Sequence, residues 1–349
     1  MAEIGILEIF FGPPWTMEER GDWADFLAHH GFDFYIYGPK ADAGLRKKWR
    51  EPWPPEYLTL LGVLSSEFRM RGLKFGVALS PYGVEYPVTE AVKNDLREKI
   101  STLTSAGVEI FGLFFDDMKS IDHLADMQLE LLNVVMSATS AKILFCPSYY
   151  STDPILDKVF GARPPDYLER LGREIPPSVE ILWTGPKVIS QDIPLDHLQE
   201  VTQLLKRKPF ICDNLFANDG PKNCKFLKLK EFTRPSEALA STAGWSLNPM
   251  NQAALSQAMV LAAKDVFKNK RTPAVALESA IHKLCSPELA DWVLAHREAL
   301  MNQGLDKIEA SKKTEMLQQL EHWQKETVAK EIMRWLRGDF IVGDECLTD

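Results

Sequence analysis

The sequence predicts an α/β fold, a (β/α)₈ (TIM) barrel followed by a small C-terminal helical domain. Eight apolar runs of strand length alternate mostly with amphipathic stretches over about the first 270 of the 349 residues. This spacing fits a closed parallel barrel better than an open doubly wound sheet. In addition, no GxGxxG follows the first run and no GxxxxGK[ST] occurs, so the two commonest nucleotide-binding motifs are absent.

The apolar runs are the predicted strands, and helix signals lie between most of them. The strands are expected at residues 4–11, 32–37, 73–80, 108–115, 141–147, 179–186, 209–214 and 244–249. Thr16 and Glu19 form a capping box for the first helix, and Pro55 suits the first turn of the second. The helices are expected at about residues 16–30, 55–70, 89–105, 120–138, 194–207 and 251–267.

The pattern changes after about residue 271, where strand signals stop. Long charged amphipathic stretches follow at 273–284, 287–303 and 306–336, and they predict helices packed on the barrel. We therefore expect two domains, a catalytic barrel at 1–270 and a helical C-terminal domain at 271–349. The tail at 338–349 is expected to be partly disordered.

Composition excludes several classes of protein. The net charge is −9 and argues against a nucleic-acid partner. No segment approaches the length of a membrane span, and the first residues read as a strand rather than a signal peptide. Five cysteines without a CxxC pair favour reduced thiols and a cytoplasmic location.

Polar side chains end most of the predicted strands, which is where barrel enzymes carry their active sites. Their carboxylates, amides and aromatic rings suit a neutral ligand rich in hydroxyl groups, whereas a phosphate site would call for more arginine. These residues are Lys40, Asp42, Asp116, Asp117, Tyr149, Tyr150, Trp183, Thr184, Lys187, Asp213, Asn214, Asn218, Asp219 and Asn248.

The adjacent pair Asp116 and Asp117 carries the strongest functional signal. Neighbouring carboxylates repel each other, so one tends to keep its proton. Helix capping would use only one of them, and Ser120 is available for that task. Elsewhere simpler interpretations stay open: Asp213 and Asn214 as loop caps, Trp183 as packing and Lys40 as a solvated lysine.

No metal or other cofactor is expected. The seven histidines form neither HxH nor HExxH. Carboxylates alone could hold Mg²⁺, but Lys40 at the same edge would compete for them. Cys146 and Cys212 end two strands without a nearby histidine, so buried thiols are the favoured interpretation.

Seven stretches together resemble glycoside hydrolase family 84, the O-GlcNAcase catalytic domain and its bacterial β-N-acetylglucosaminidase relatives. The resemblance covers about residues 5–261, and the stretches stand in the family's order. They are EIFFGPPWTMEER, YIYGPKAD, LFFDDM, LFCPSYY, ILWTGPKVIS, DNLFAND and LNPM.

The resemblance implies substrate-assisted catalysis, in which the 2-acetamido oxygen of the sugar attacks its own anomeric carbon and forms an oxazoline. Asp116 would orient the acetamido N–H, and Asp117 would be the general acid and then the base. The charge of Asp116 should raise the pKa of Asp117, as an acid at neutral pH requires. The remaining implied substrate-binding residues are Lys40, Tyr150, Asn214, Asp219 and Asn248.

Two positions depart from the family pattern. The family's first motif reads Glu-Gly-Phe-Tyr-Gly, but Ile9 replaces its first glycine here. The family usually places a tryptophan where this chain has Cys212. Both changes fall at the substrate, so they favour altered or relaxed specificity with retained chemistry. Tyr149, where many relatives carry an acidic residue, is a lesser change.

The resemblance thus implies a cytoplasmic, metal-free retaining β-N-acetylhexosaminidase that removes terminal β-linked GlcNAc from a glycan or glycoprotein. Three alternatives stay open: a glycosidase for another 2-acylamido sugar, a non-hydrolytic sugar-binding relative, and a scaffold built on the C-terminal helices. Those helices also offer a surface for a homodimer, although such helices more often pack on their own barrel.

Overall fold

Eight parallel strands close a barrel in chain order, which confirms the predicted fold class. The computed structural model describes residues 2–343, 346 and 348. The barrel closes where β1 pairs with β8, from Glu3 opposite Gly244 to Ile6 opposite Leu247. The strands are β1 (Glu3–Glu8), β2 (Phe34–Tyr37), β3 (Lys74–Leu79), β4 (Ile110–Phe114), β5 (Lys142–Cys146), β6 (Val179–Trp183), β7 (Phe210–Asp213) and β8 (Gly244–Leu247).

The strands are almost continuously buried because side chains inside the barrel and helices outside it cover both faces. Nine helices accompany the strands within the described residues. They are α1 (Met17–His29), α2 (Pro55–Met70), α3 (Glu90–Ser105), α4 (Leu124–Ala138), α5 (Pro154–Phe160), α6 (Tyr167–Glu174), α7 (Leu195–Leu205), α8 (Ser236–Ala240) and α9 (Ala253–Phe267).

Local capping signals located several helices well. Thr16 and Glu19 exchange both hydrogen bonds of the capping box at the start of α1. The fourth helix is a correction, since it begins at Leu124 and not near Ser120. His123, in the left-handed backbone conformation, precedes it, and the Ser120 N–H donates to the Phe160 carbonyl instead. The chain between Asp117 and α4 is therefore a loop rather than a helical turn.

The prediction missed helices α5, α6 and α8. Each has at most eight residues, which is too short for a clear helical period. Gly161 and the prolines at 164 and 165 separate α5 from α6 and read as loop signals.

The C-terminal region is helical and packs on the barrel. Its helices are α10 (Pro273–Leu284), α11 (Pro287–Ala295), α12 (Gly304–Lys307), α13 (Ala310–Leu320) and α14 (Thr327–Arg337). The buried carboxylate of Glu331 in α14 accepts hydrogen bonds from the backbone N–H groups of Ala254 and Leu255, 2.8 Å each, at the start of α9. The two-domain division at residue 270 stays a prediction.

The chain beyond α14 returns to the barrel. Val342 packs with Phe11 and Cys224 in a small apolar cluster, and Cys346 lies against it. The predicted disordered tail includes residues 344, 345, 347 and 349, which lie outside the described residues. Within residues 2–343, 346 and 348, no helix has the length and apolar character needed to cross a bilayer.

Candidate active site

The carboxyl ends of the strands surround a cavity. All nine site residues expected from the sequence line it. They are Ile9, Lys40, Asp116, Asp117, Tyr150, Cys212, Asn214, Asp219 and Asn248.

Asp116 forms a buried ion pair with Lys40, which follows β2. The Lys40 Nζ lies 2.5 Å from Asp116 Oδ2, and both side chains are nearly excluded from solvent. The ammonium group therefore neutralises part of the charge of Asp116. The other oxygen, Asp116 Oδ1, is buried and has no hydrogen-bond partner among the described residues. An N–H donor on a ligand would satisfy it.

Asp117 is a buried acid that titrates near neutral pH. Its pKa is raised from 3.8 to about 7, first by burial and second by the charge of Asp116, while Lys40 and Arg46 oppose the rise. The expectation from the sequence named Asp116 as the cause, but burial is the larger one. Asp117 Oδ1 also has no hydrogen-bond partner within the described part of the chain. This carboxyl can therefore deliver a proton at neutral pH.

The backbone of Asp117 is unusual, with φ of 54° in the left-handed region. Aspartate enters this region more readily than most residues. The turn comes three residues after β4 ends at Phe114. It sends Asp117 in a direction that a continued strand would not allow.

Neutral hydrogen-bonding groups complete the cavity wall. Burial and the charges of Asp117 and Asp116 raise the pKa of Tyr150 well above its ordinary value, so its hydroxyl stays protonated. Asn248 Nδ2 donates to Asn214 Oδ1 at 3.0 Å, and Asn214 Nδ2 donates to the Val188 carbonyl at 2.8 Å. Asn248 Oδ1 is buried without a partner among the described residues, so it too can accept from a ligand.

Ile9 and Cys212 line the cavity, as the resemblance to the family's motifs implied. Cys212 is buried, and burial raises the pKa of its thiol. Cys146 also lines the cavity, and burial raises the pKa of its thiol as well. Both sulfurs are neutral at physiological pH, so they shape the cavity as small apolar groups.

Several polar residues at strand ends do not reach the cavity. Asp213 is fully buried and binds Arg234 through two hydrogen bonds of 2.9 and 2.8 Å. Trp183 donates to His197, and the Tyr149 hydroxyl donates to the Gly161 carbonyl. Successive side chains along a strand point to opposite faces, so Cys212 faces the cavity and Asp213 faces away. Tyr150 lines the cavity but Tyr149 does not, although both lie in the loop after β5.

The remaining strand-end residues divide in the same way. Thr184 lines the cavity. Asp42 accepts hydrogen bonds from the hydroxyls of Tyr37 and Tyr57, and Asn218 donates to Gln252. Lys187 is exposed and pairs with Asp153. Asp42, Asn218 and Lys187 therefore make contacts within the protein and do not line the cavity.

Two sets of residues at the site escaped prediction. Phe11, Val188 and Ile189 provide apolar walls. Cys346 and Thr348, from the end of the chain, also line the cavity, and the Thr348 side chain hydrogen-bonds Tyr150. No local signal marks such long-range contacts. Within the described ranges, no group of three or more His, Cys, Asp or Glu residues is arranged to hold a metal ion.

Comparisons with known proteins give a consistent result. Residues 4–299 match the family model of beta-N-acetylglucosaminidase. Two curated proteins called Protein O-GlcNAcase, from Rattus norvegicus and Mus musculus, are each 33% identical to the chain over 238 residues, or 64% of this chain and 25% of the relative. The chain thus spans about a quarter of the length of these relatives.

A solved structure is similar over nearly the whole chain. It is a mutant of the O-GlcNAc hydrolase of Thermobaculum terrenum, which matches with a TM-score of 0.76 at 28% sequence identity. The match covers 95% of this chain and 74% of that chain.

Proposed function

Because the chain belongs to the β-N-acetylglucosaminidase family of glycoside hydrolases, as its sequence motifs implied, we propose that it hydrolyses terminal β-linked GlcNAc with retention of configuration. The observation that carries this proposal is a pair of adjacent buried aspartates in different surroundings. Asp116 is paired with Lys40 and keeps one oxygen unpaired among the described residues. Asp117 has a pKa raised to about 7.

This arrangement supports substrate assistance. The unpaired Asp116 oxygen accepts the acetamido N–H, which orients the acetamido oxygen toward the anomeric carbon and makes it more nucleophilic. That oxygen forms a bond to the anomeric carbon while the glycosidic bond breaks, and Asp117 gives its proton to the leaving oxygen. Water then attacks the anomeric carbon and opens the oxazoline, while Asp117, now ionised, takes a proton from that water molecule. No protein carboxylate bonds to the sugar, unlike in the usual retaining mechanism.

The other cavity residues bind the sugar in this proposal. The Tyr150 hydroxyl lies beside the acetamido oxygen or the oxazoline. Lys40 and Asp219 contact the outer hydroxyls of the sugar, and Asn214 and Asn248 complete the pocket. The unpaired Asn248 Oδ1 is available to one sugar hydroxyl.

A changed acyl specificity is the second candidate, and one observation favours it. Ile9 and Cys212 both line the cavity, where the family usually has glycine and tryptophan. The branched side chain of Ile9 fills space near the backbone, and the small thiol of Cys212 leaves space where a ring would lie. In this second candidate, the preferred acyl group is not acetyl, while Asp116 and Asp117 keep the same roles.

The biological setting is also proposed. No disulfide joins the five cysteines, all of which the structure describes, and this supports a reducing compartment such as the cytoplasm. We propose a glycoprotein or glycan as the substrate and the C-terminal helices as the surface for any homodimer.

The test compares aryl 2-acetamido-2-deoxy-β-glucosides that carry acetamido, fluoroacetamido, difluoroacetamido and trifluoroacetamido groups. Fluorine makes the acyl oxygen less nucleophilic, so kcat/KM should fall steeply across the series. A flat response, or no hydrolysis by the wild type, would refute the mechanism. Longer acyl chains in the same assay separate the second candidate from the first.

A further inference from the structure

Arg46 is a buried cation beside the acid, and none of the roles above uses it. It follows the short turn Ala43–Leu45 after β2, and only 6% of its surface is exposed. Burying a guanidinium group is costly unless its N–H groups find partners. The contacts of the Arg46 guanidinium group therefore indicate its role.

These contacts connect the cavity wall to the acid. Arg46 Nη2 donates a 3.0 Å hydrogen bond to the backbone carbonyl of Asp117. The guanidinium carbon lies 5.7 Å from the centre of the Phe11 ring and 5.2 Å from that of Tyr82, so the two rings hold the group between them. The turn itself is fixed to β3, because the Leu45 carbonyl accepts from the Ser80 N–H at 2.8 Å.

The hydrogen bond falls on a peptide group that needs support. Asp117 adopts φ of 54°, which most non-glycine residues avoid and which persists only when its surroundings enforce it. A charged donor on the Asp117 carbonyl is stronger than a neutral one, and it fixes the direction of this peptide. Because the side chain leaves from the same Cα, the direction of the Asp117 Cα–Cβ bond is fixed as well, which limits where the carboxyl can lie.

Arg46 also adds a positive charge to the surroundings of the acid. Within the described residues, six further ionisable groups interact electrostatically with Asp117: Asp116, Asp219, Lys40, Cys146, Tyr150 and Cys346. Burial, Asp116 and Asp219 raise the pKa of Asp117, while Lys40 and Arg46 lower it. Lys40 is already paired with Asp116, so Arg46 is the second cation acting on the acid.

We propose that Arg46 is a positioning residue for proton transfer at Asp117, holding the left-handed peptide that aims the carboxyl at the leaving oxygen. The proposal deepens the proposed function and rests on it for the identity of the proton acceptor. Arg46 itself touches no reacting atom in this role. It differs from a purely structural arginine because its loss should change proton transfer selectively.

The kinetic test replaces Arg46 by Met, which keeps the packing between the two rings but removes the donor and the charge. Two glycosides of one sugar are compared, one with a 4-nitrophenyl and one with an alkyl leaving group. General acid catalysis contributes about 10²- to 10⁴-fold. Misalignment should therefore lower kcat/KM about 100-fold for the alkyl glycoside and less than about ten-fold for the nitrophenyl one, which needs little protonation.

The pH profile separates charge from hydrogen bonding. Loss of the cation raises the pKa of Asp117, so the alkaline limb of kcat/KM should move to higher pH in Arg46→Met by at least ~0.5. Arg46→Lys keeps the charge, so its limb should stay at the wild-type position and part of the rate should return. Arg50→Met is the matched control, since Arg50 lies on the same segment but is half exposed and pairs with Asp95.

A measurement without turnover keeps the inference independent of the proposed function. Carbon-13 NMR titration of aspartate-labelled protein, with Asp117→Asn to assign the resonance, reports the pKa of Asp117 directly. It should rise in Arg46→Met and stay unchanged in Arg50→Met. If the wild type fails to hydrolyse any glycoside, the proposed function fails while this titration still decides the role of Arg46. An unchanged titration, or equal rate losses for both leaving groups, would overturn the proposal.

Discussion

The acid Asp117 should destabilise the folded protein at alkaline pH, and Asp117→Asn should remove that cost. Asparagine is nearly isosteric with aspartate and tolerates the left-handed backbone of this residue, with φ of 54°. The substitution thus removes the ionisable group and adds little strain. It abolishes the acid, so stability and activity should change in opposite directions.

The size of the effect follows from the pKa of Asp117, which rises from 3.8 to about 7 on folding. The folded state holds the proton more tightly than the unfolded chain, so between pH 4 and 7 it binds more protons. Stability therefore falls as the pH rises through this window and levels off above it. At 1.36 kcal/mol for each pH unit between the two pKa values, the loss is ~4 kcal/mol.

The assay is urea unfolding at pH 4.5, 6 and 8 for the wild type and Asp117→Asn. The free-energy difference between the two proteins should grow by ~3 kcal/mol in favour of the variant from pH 4.5 to pH 8, because part of the loss has already occurred at pH 4.5. Glu331, whose pKa is also raised to about 7 by burial, acts alike in both proteins and cancels. Asp122→Asn, at an exposed aspartate in the following loop, is the matched control. Parallel stability curves for wild type and Asp117→Asn would refute the reasoning.

Two further predictions concern groups that contact the aspartates and Tyr150. Lys40→Met leaves the Asp116 carboxylate buried without its partner, so the free energy of unfolding at pH 7 should fall by ~3 kcal/mol. Lys48→Met, at an exposed lysine, is the control and should have little effect. Equal losses of unfolding free energy for the two variants in a urea titration would contradict this prediction. A chain that ends after residue 343 keeps the contact of Val342 with Phe11 but loses the hydrogen bond of Thr348 to Tyr150. Because the sugar then no longer has to displace Thr348, KM for the aryl glycoside should fall at least about two-fold. An unchanged or higher KM would contradict that reasoning, and Thr348→Ala tests the single hydrogen bond.

The sequence predicted the barrel and the aspartate pair because both leave local signals. Strand-length apolar runs and helix caps recur along the chain, and in a parallel barrel every strand ends at the same edge. Any polar residue at a strand end thus becomes a candidate. The position of Asp116 and Asp117 beside the cavity follows from this rule alone.

The same rule does not distinguish a cavity residue at a strand end from its immediate neighbour in the sequence. A strand end does not say which of two neighbours faces inward, and a shift of one residue reverses the faces. Asp213 and Trp183, at the ends of β7 and β6, are therefore expected at the site although they pack elsewhere. Arg46 and Thr348 act through contacts distant in sequence, which no local period records.

The carboxylate of Glu331 links the end of the chain to the last barrel helix, since it accepts from the N–H groups of Ala254 and Leu255 at the start of α9. During synthesis on the ribosome, α9 is made long before residue 331 emerges. Until then these N–H groups lack this partner, and the final unit of the barrel is incomplete at one end. Completion of the barrel is thereby tied to the emergence of α14, so a nascent chain halted within the C-terminal helices would carry the strands that end at the cavity on an unfinished scaffold.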